Sequence, residues 1–381
     1  MVTRKKRRIA AVPEQPSGSL ALQMPPEKAE PASMGNVLMM VVPMLGSTGV
    51  MIFMAMQNNG GRRSMLMGGG MLVAMLGMVG FNMYRQFSQY RTRVKTQRRE
   101  YLSYLAETRE SIRKVAKKQR AFYNWVYPDP DALVTLAANG SRLWSREGNT
   151  YNVLTFRYGS GTQPLGLTFE RPPIDPMTEM DVVCLSAMER FIAVHDHTDN
   201  VGKFLYLGDF SHIEVVGEGE SAYNEMRAIM MHVACFIEPS KLKIAVLCSA
   251  DRLGDWEWVK WMPQARSANV RDAIGPARMI STDPRELVEM IGPDIAMRGA
   301  YRQGEEMPEW PHLLLVCDGA EFPTSSPFGS MAGVRGVTIM SRAREWTPMK
   351  SHTALRLVIH PSPDHKGADV VDVVTMDSLP E

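Results

Sequence analysis

Two long stretches without a charged residue lie close together near the start of the chain, Met34 to Met56 and Ser64 to Tyr84, with only Gln57 to Arg63 between them. Each is about long enough for a helix to cross the hydrocarbon core of a bilayer. The connector is too short for a folded domain, so the pair (residues 34–84) predicts a transmembrane hairpin with everything from Arg85 onward on one side. Arg4, Lys5, Lys6, Arg7, Arg8 and Lys28 precede the first stretch; Arg85, Arg91, Arg93, Lys95, Arg98 and Arg99 follow the second. The connector holds only Arg62 and Arg63. The positive-inside bias then places both termini in the cytoplasm of a multi-pass plasma-membrane protein. The apolar run starts too late for a signal peptide and lacks a small-residue cleavage pattern. The competing reading is a buried helical hairpin of a soluble protein.

Thirteen of the 30 methionines fall between Met34 and Met83, and Gly68, Gly69, Gly70, Ala74, Gly77 and Gly80 stud the second stretch. Small residues at these spacings let helices approach closely in lipid, against other subunits or against each other. Neither stretch holds an ionisable residue, so nothing points to an ion pathway. The net charge of +2 conceals a division. Residues 1–125 carry 20 basic and 6 acidic side chains, the remainder 23 and 35. A basic region beside a bilayer attracts anionic lipids. A nucleic-acid partner for the same lysines and arginines ranks lower, because the membrane already accounts for their position.

Residues 1–33 hold a basic cluster and then Pro13, Pro16, Pro25, Pro26 and Pro31, with no apolar period. They predict an extended cytoplasmic tail ordered by a partner. Residues 85–126 contain no proline or glycine, and Phe87, Val94, Tyr101, Thr108, Val115 and Phe122 recur every seven residues, with Leu105 and Ile112 beside them. That pattern predicts a basic helical stalk, either solvated or paired as a coiled coil, ended by Pro128 and Pro130. Cys184, Cys235, Cys248 and Cys317 match no zinc spacing and read as reduced, buried thiols.

Residues 127–381 alternate apolar strands with helices. Strands are predicted at Val153–Arg157, Phe204–Leu207, Ile213–Val216, Lys243–Cys248, His312–Asp318, Gly336–Met340 and Leu355–Ile359. Helices are predicted at Val182–Val194, Tyr223–Phe236 and Pro284–Arg302. The class is α/β with a mainly parallel sheet. A strand, the glycine loop from Gly217 to Ala222, a helix, and a later apolar strand ending in Asp318 form the ground plan of a P-loop nucleotide-binding domain. Such a loop needs Gly-x-x-x-x-Gly-Lys-Ser/Thr. Counted from Gly217, those last three positions hold Ala222, Tyr223 and Asn224, and no lysine lies between Lys203 and Lys241. Glu218 and Glu220 repel a triphosphate. Asp318 stands where a magnesium-holding aspartate belongs, followed by Gly319 where many such ATPases carry a glutamate; Glu321 is a weak substitute. The expected site, Gly217, Gly219, Tyr223, Asn224 and Asp318, is therefore degenerate and without a catalytic or metal-ligating set. Gly217 to Ala222 also fits the dinucleotide fingerprint G-x-G-x-x-A, but Asp251, at the end of the next strand, lies 32 residues beyond Gly219, where about 20 are expected. His195 and His197 lack a third metal ligand and read as a surface turn. Trp256, Trp258 and Trp261 read as the core side of a short helix or as a partner-binding edge.

The prolines of the tail, the methionine-rich hairpin, the basic helix, Glu170 to Pro173 and the run Trp256 to Pro263 together resemble the EccC component of mycobacterial type VII (ESX) secretion systems, a family of the FtsK/SpoIIIE class. The resemblance covers essentially the whole chain, and the tryptophan run is its most specific part. It implies that the chain corresponds to the N-terminal portion of a longer translocation ATPase, with ATP and magnesium used by downstream domains. It implies EccB, EccD and EccE-type membrane subunits, further copies of the chain, and WXG-type secreted effectors as partners. Two alternatives stay open: an FtsK-type DNA translocase anchor, and a slow ATPase completed by a partner subunit.

Overall fold

The computed structural model describes residues 12–29, 39, 42–43, 46–47, 49–50, 53–54, 57, 62–140, 142–146, 151–304, 309–344, 347–349, 351–363 and 367–376. The chain divides into two compact units. One takes in Gln15–Gln119 and Pro164–Thr198, the other Arg120–Gln163 and Asp199–Glu381.

A single helix runs from Arg62 to Val126. The second uncharged stretch and the stalk are thus one element, with no boundary at Tyr84. Nothing in the sequence there breaks a helix, since residues 81–127 lack both proline and glycine. Among the described residues no helix is long and apolar enough to cross a membrane. The hairpin is therefore not seen. Five glycines and an alanine between Gly68 and Gly80 dilute the apolar character of the second stretch, and Met34 to Met56 lies largely outside the described residues.

In the smaller unit the middle of the seven-residue stripe, Tyr101 and Thr108, is covered by the chain itself, while Phe87 is 55% exposed. Tyr101, Leu105 and Ile112 are buried with Leu22, Leu165, Cys184, Met188 and Phe191. Thr108 tolerates burial because its hydroxyl donates to the Tyr104 carbonyl at 2.8 Å. Much of the expected tail is also part of this unit. Gly18–Ala21 pairs in parallel with Leu167–Glu170, the Tyr101 hydroxyl donates to the Gln23 carbonyl at 3.1 Å, and Lys28 pairs with Glu179. A helix follows at Val182–His195, capped by Asp181, whose carboxylate accepts the Cys184 amide at 3.1 Å. Arg98 grips the same carboxylate through Nε at 3.0 Å and Nη2 at 2.8 Å. Burial opposes the charge on Asp181, but Arg98 and the Cys184 amide outweigh it and hold the carboxyl below its usual range.

The larger unit is built on a seven-stranded sheet. From one edge its order is Asp369–Thr375, Ala354–Pro361, His212–Gly217, Val337–Arg342, His312–Asp318, Leu242–Cys248 and Ile280–Ser281. All neighbours are parallel except the first pair. The central strands are buried along almost their whole length, and His312–Asp318 has no exposed residue. That matches apolar runs covered on both faces. The helix Ser221–Phe236 packs on one face with Met226, Ile229, Met230 and Val233. Leu287, Met290 and Ile291 cover the other. The helix expected at Pro284–Arg302 stops at Ile291, because Gly292 takes φ +90° and Pro293 starts a separate turn. The end of the long helix is also held in this unit. The carbonyls of Trp125, Val126 and Tyr127 accept from Arg142, Arg146 and Arg157, which satisfies acceptors a helix cannot pair internally.

His312 is one of two buried histidines, with His232, that make the larger unit acid-sensitive. Burial, followed by the charge on Arg298, pushes the His312 imidazole down to about 3. Below its ordinary pKa of about 6.5 the unfolded imidazole takes up a proton that the folded one refuses, so stability falls by up to about 1.4 kcal/mol per pH unit on acidification. Glu225, pushed up to about 7 by burial, acts oppositely between pH ~4.5 and about 7, where only its unfolded form ionises. Comparing His312→Asn with the parent isolates the histidine. The variant is expected to lose less stability between pH 6.5 and pH 4, measured as urea midpoints. Parallel curves would contradict the assignment.

Candidate functional site

The parallel strands end together at a cleft of about 700 Å³, lined by Gly217, Glu218, Ser249, Asp318, Arg342 and His360 among others. Clefts at the carboxyl ends of such strands are where open α/β sheets bind ligands.

The glycine loop is short. Only Glu218, Gly219 and Glu220 separate the strand ending at Gly217 from the helix starting at Ser221. The turn is closed by its own groups. The Ser221 amide donates to the Glu218 carbonyl at 3.1 Å and its hydroxyl to the same oxygen at 2.6 Å. Gly219 takes φ +56°, in the left-handed region. At Gly217 an added Cβ would meet the Ser221 Oγ at 2.6 Å and the Ala222 amide nitrogen at 3.0 Å, so a side chain there would force the Ser221 hydroxyl out of the turn. No lysine lies in the loop or the following helix.

Tyr223 and Asn224 are the residues that the sequence count sets against the lysine and hydroxyl of a phosphate-binding loop. Asn224 is exposed, whereas Tyr223 is buried. The Tyr223 hydroxyl donates to the Asp255 carbonyl, and its ring meets Trp256 edge-on at 5.0 Å. Burial raises its phenol pKa.

Asp318 is only 2% exposed, and its Oδ2 is already engaged. The Arg252 Nε donates to it at 3.0 Å and the Trp256 indole at 2.9 Å. Arg252 also reaches Asp255 at 2.8 Å and lies 5.0 Å from the centre of the Tyr223 ring. Burial opposes its charge, but Asp318 and Asp255 outweigh that and raise its pKa. A cation from the chain itself therefore stands at the Asp318 carboxylate, and any other cation there would have to displace it.

The structure thus brings Gly217, Gly219, Tyr223 and Asp318 to one end of the sheet and leaves Asn224 outside. Sequence reasoning missed Arg252. The available signal was its spacing, four residues before Trp256 and just beyond the strand ending at Cys248. The tryptophan run divides: Trp256 is wholly buried and Trp261 is 79% exposed. Asp251 lines the cleft, while Glu321 does not. His197 pairs with Asp196, and among the described residues no cluster of His, Cys, Asp or Glu could hold a metal. All four cysteines are buried, and none is in a disulfide.

No protein-family model matches the chain. The ESX secretion system protein EccC of Thermomonospora curvata is 30% identical to it over 363 residues, which is 95% of this chain and 27% of that protein. The ESX-3 protein EccC3 of Mycobacterium tuberculosis is 33% identical over 65% of this chain and 18% of its own length. The chain belongs with the EccC proteins of ESX secretion systems. The EccC5 protein of Mycobacterium marinum shares 28% identity over 86% of the chain and 24% of its own length. The chain thus spans about a quarter or less of the length of these EccC relatives.

Proposed function

We propose that this chain is the anchoring and coupling part of an ESX secretion ATPase, and that its own nucleotide-site positions bind no nucleotide. The carrying observation is the occupation of Asp318 by the Arg252 guanidinium and the Trp256 indole. The absence of a loop lysine and the presence of Glu218 and Glu220 support the same reading. Hydrolysis, with ATP and magnesium, then belongs to downstream domains of the longer protein. A domain of this kind transmits motion to the helix it holds, and three arginines fix the end of that helix. Purified chain supplied with magnesium and ATP should release no more phosphate than its Asp318→Ala variant. Turnover that disappears in the variant would reverse the reading.

Anchoring draws support from the two uncharged stretches and from exposed apolar side chains along them, among them Phe53, Val73, Leu76 and Phe81. A lipid environment removes the cost of leaving such groups uncovered. Basic residues on either side suit anionic lipid heads. EccB, EccD and EccE-type subunits and further copies of the chain are the partners proposed for the stretches and the helix, with WXG-type effectors engaged by downstream domains. The chain should stay with membranes through alkaline carbonate washing and be released once residues 34–84 are deleted. Release of the intact chain would count against anchoring.

A further inference from the structure

The smaller unit carries a groove that the reading above leaves unused. It lies between the long helix and the helix Val182–His195, with a volume of about 610 Å³. Leu102, Leu105 and Ala106 line one side, and Ala187, Phe191 and Val194 the other. Leu102 is 44% and Val194 62% exposed, and with Ala106 they form the open part of an apolar lining whose floor is the buried Leu105 and Phe191.

Arg109, Arg113 and Arg190 complete the lining. Their neighbours find counter-charges within the unit: Lys114 pairs with Glu110 and Arg171 with Glu189. The three groove arginines have no ion pair among the described residues. His195 closes one end, its ring edge-on to Phe191 at 4.8 Å and its Nε2 buried without a hydrogen-bond partner. Burial, then Arg109 and Arg113, lower its pKa, which keeps the ring neutral at pH 7. The positive charge of the groove therefore comes from the arginines.

We propose that this groove docks an acidic amphipathic helix of a partner protein. Leu102, Leu105, Ala106, Arg109 and Arg113 follow one helical face over roughly 16 Å, about three turns. A third helix laid along that face sets its apolar stripe on Leu102, Ala106 and Val194, and its carboxylates one turn apart reach Arg109 and Arg113. Arg190 meets the same partner from the opposite wall. The cationic positions are spread along the groove, whereas a lipid head group concentrates its phosphate at one point. The chain's own Arg4 to Arg8 cluster has the wrong sign to fill it.

The test uses the full chain in neutral-lipid nanodiscs and a fluorescent peptide about four helical turns long, with leucines on one face flanked by glutamates. A lysine version of the peptide serves as control. The glutamate peptide is expected to bind saturably and the lysine peptide not to bind. Arg109→Glu with Arg113→Glu should weaken the glutamate peptide about ten-fold or more and create binding of the lysine peptide. Both arginines are exposed, and an unchanged circular dichroism spectrum will show that the variant is folded. Val194→Asp should weaken both pairings. Equal binding of the two peptides, no reversal in the double variant, or arginine-dependent binding confined to phosphatidylglycerol vesicles would overturn the proposal.

Discussion

Trp256→Ala is expected to destabilise the larger unit by about 4 kcal/mol, among the most damaging single truncations in the chain. Trp256 is wholly buried, meets Tyr223 edge-on, and stacks against Trp258 with ring centres 6.3 Å apart. Truncation opens a cavity that these rings cannot close without leaving their positions. It also removes the indole donor from Asp318, leaving a buried carboxylate to Arg252 alone. Trp256→Phe separates the two contributions. It restores most of the volume but not the N–H, and should cost about 1–3 kcal/mol for the lost hydrogen bond to a buried charge. Urea unfolding of the full chain, followed by circular dichroism, gives both numbers. A cost below ~1 kcal/mol for the alanine variant would mean that the tryptophan is not the core of this site.

Arg356→Met should be comparably costly, by about 3–5 kcal/mol, for an electrostatic reason. Arg356 and Glu214 are direct partners on adjacent parallel strands, with Nε donating to Oε2 at 2.9 Å. Glu214 is 1% exposed. Methionine leaves that carboxylate without its counter-charge between two strands. The double variant Glu214→Gln with Arg356→Met removes both charges and should recover most of the loss, since such pairs gain little over apolar replacements. The arginine also donates to the Thr347 carbonyl at 2.6 Å, so a residual deficit is expected. A double variant as unstable as the single one would show that this second contact, not the ion pair, holds the strand.

The parallel sheet was legible because its strands are buried on both faces and read as unbroken apolar runs. His312–Asp318 is the clearest, and the strands ending at Gly217, Cys248 and Pro361 differ from the expected bounds by only a residue or two at each end. The edge strand Asp369–Thr375 was not legible, because Asp369 and Asp372 break the apolar pattern on a strand with a single neighbour. The tail was misread because Gly18–Ala21 is held by pairing with a distant strand, a contact no local period reports. The stalk's stripe was visible, but its partner Met188 and Phe191 lie far along the chain. At the site, Gly217 and Asp318 could be found from loop and strand pattern alone. Arg252 could not, because an arginine in a polar stretch reads as surface until the fold carries it to Asp318.

Calorimetric titration of magnesium and ATP into the full chain tests that internal cation most directly. If Arg252 and Trp256 occupy Asp318, no saturable heat should appear with parent protein. Saturable binding that is lost in Asp318→Ala would contradict the account, because it would show that a nucleotide displaces Arg252 and that the site is a working one.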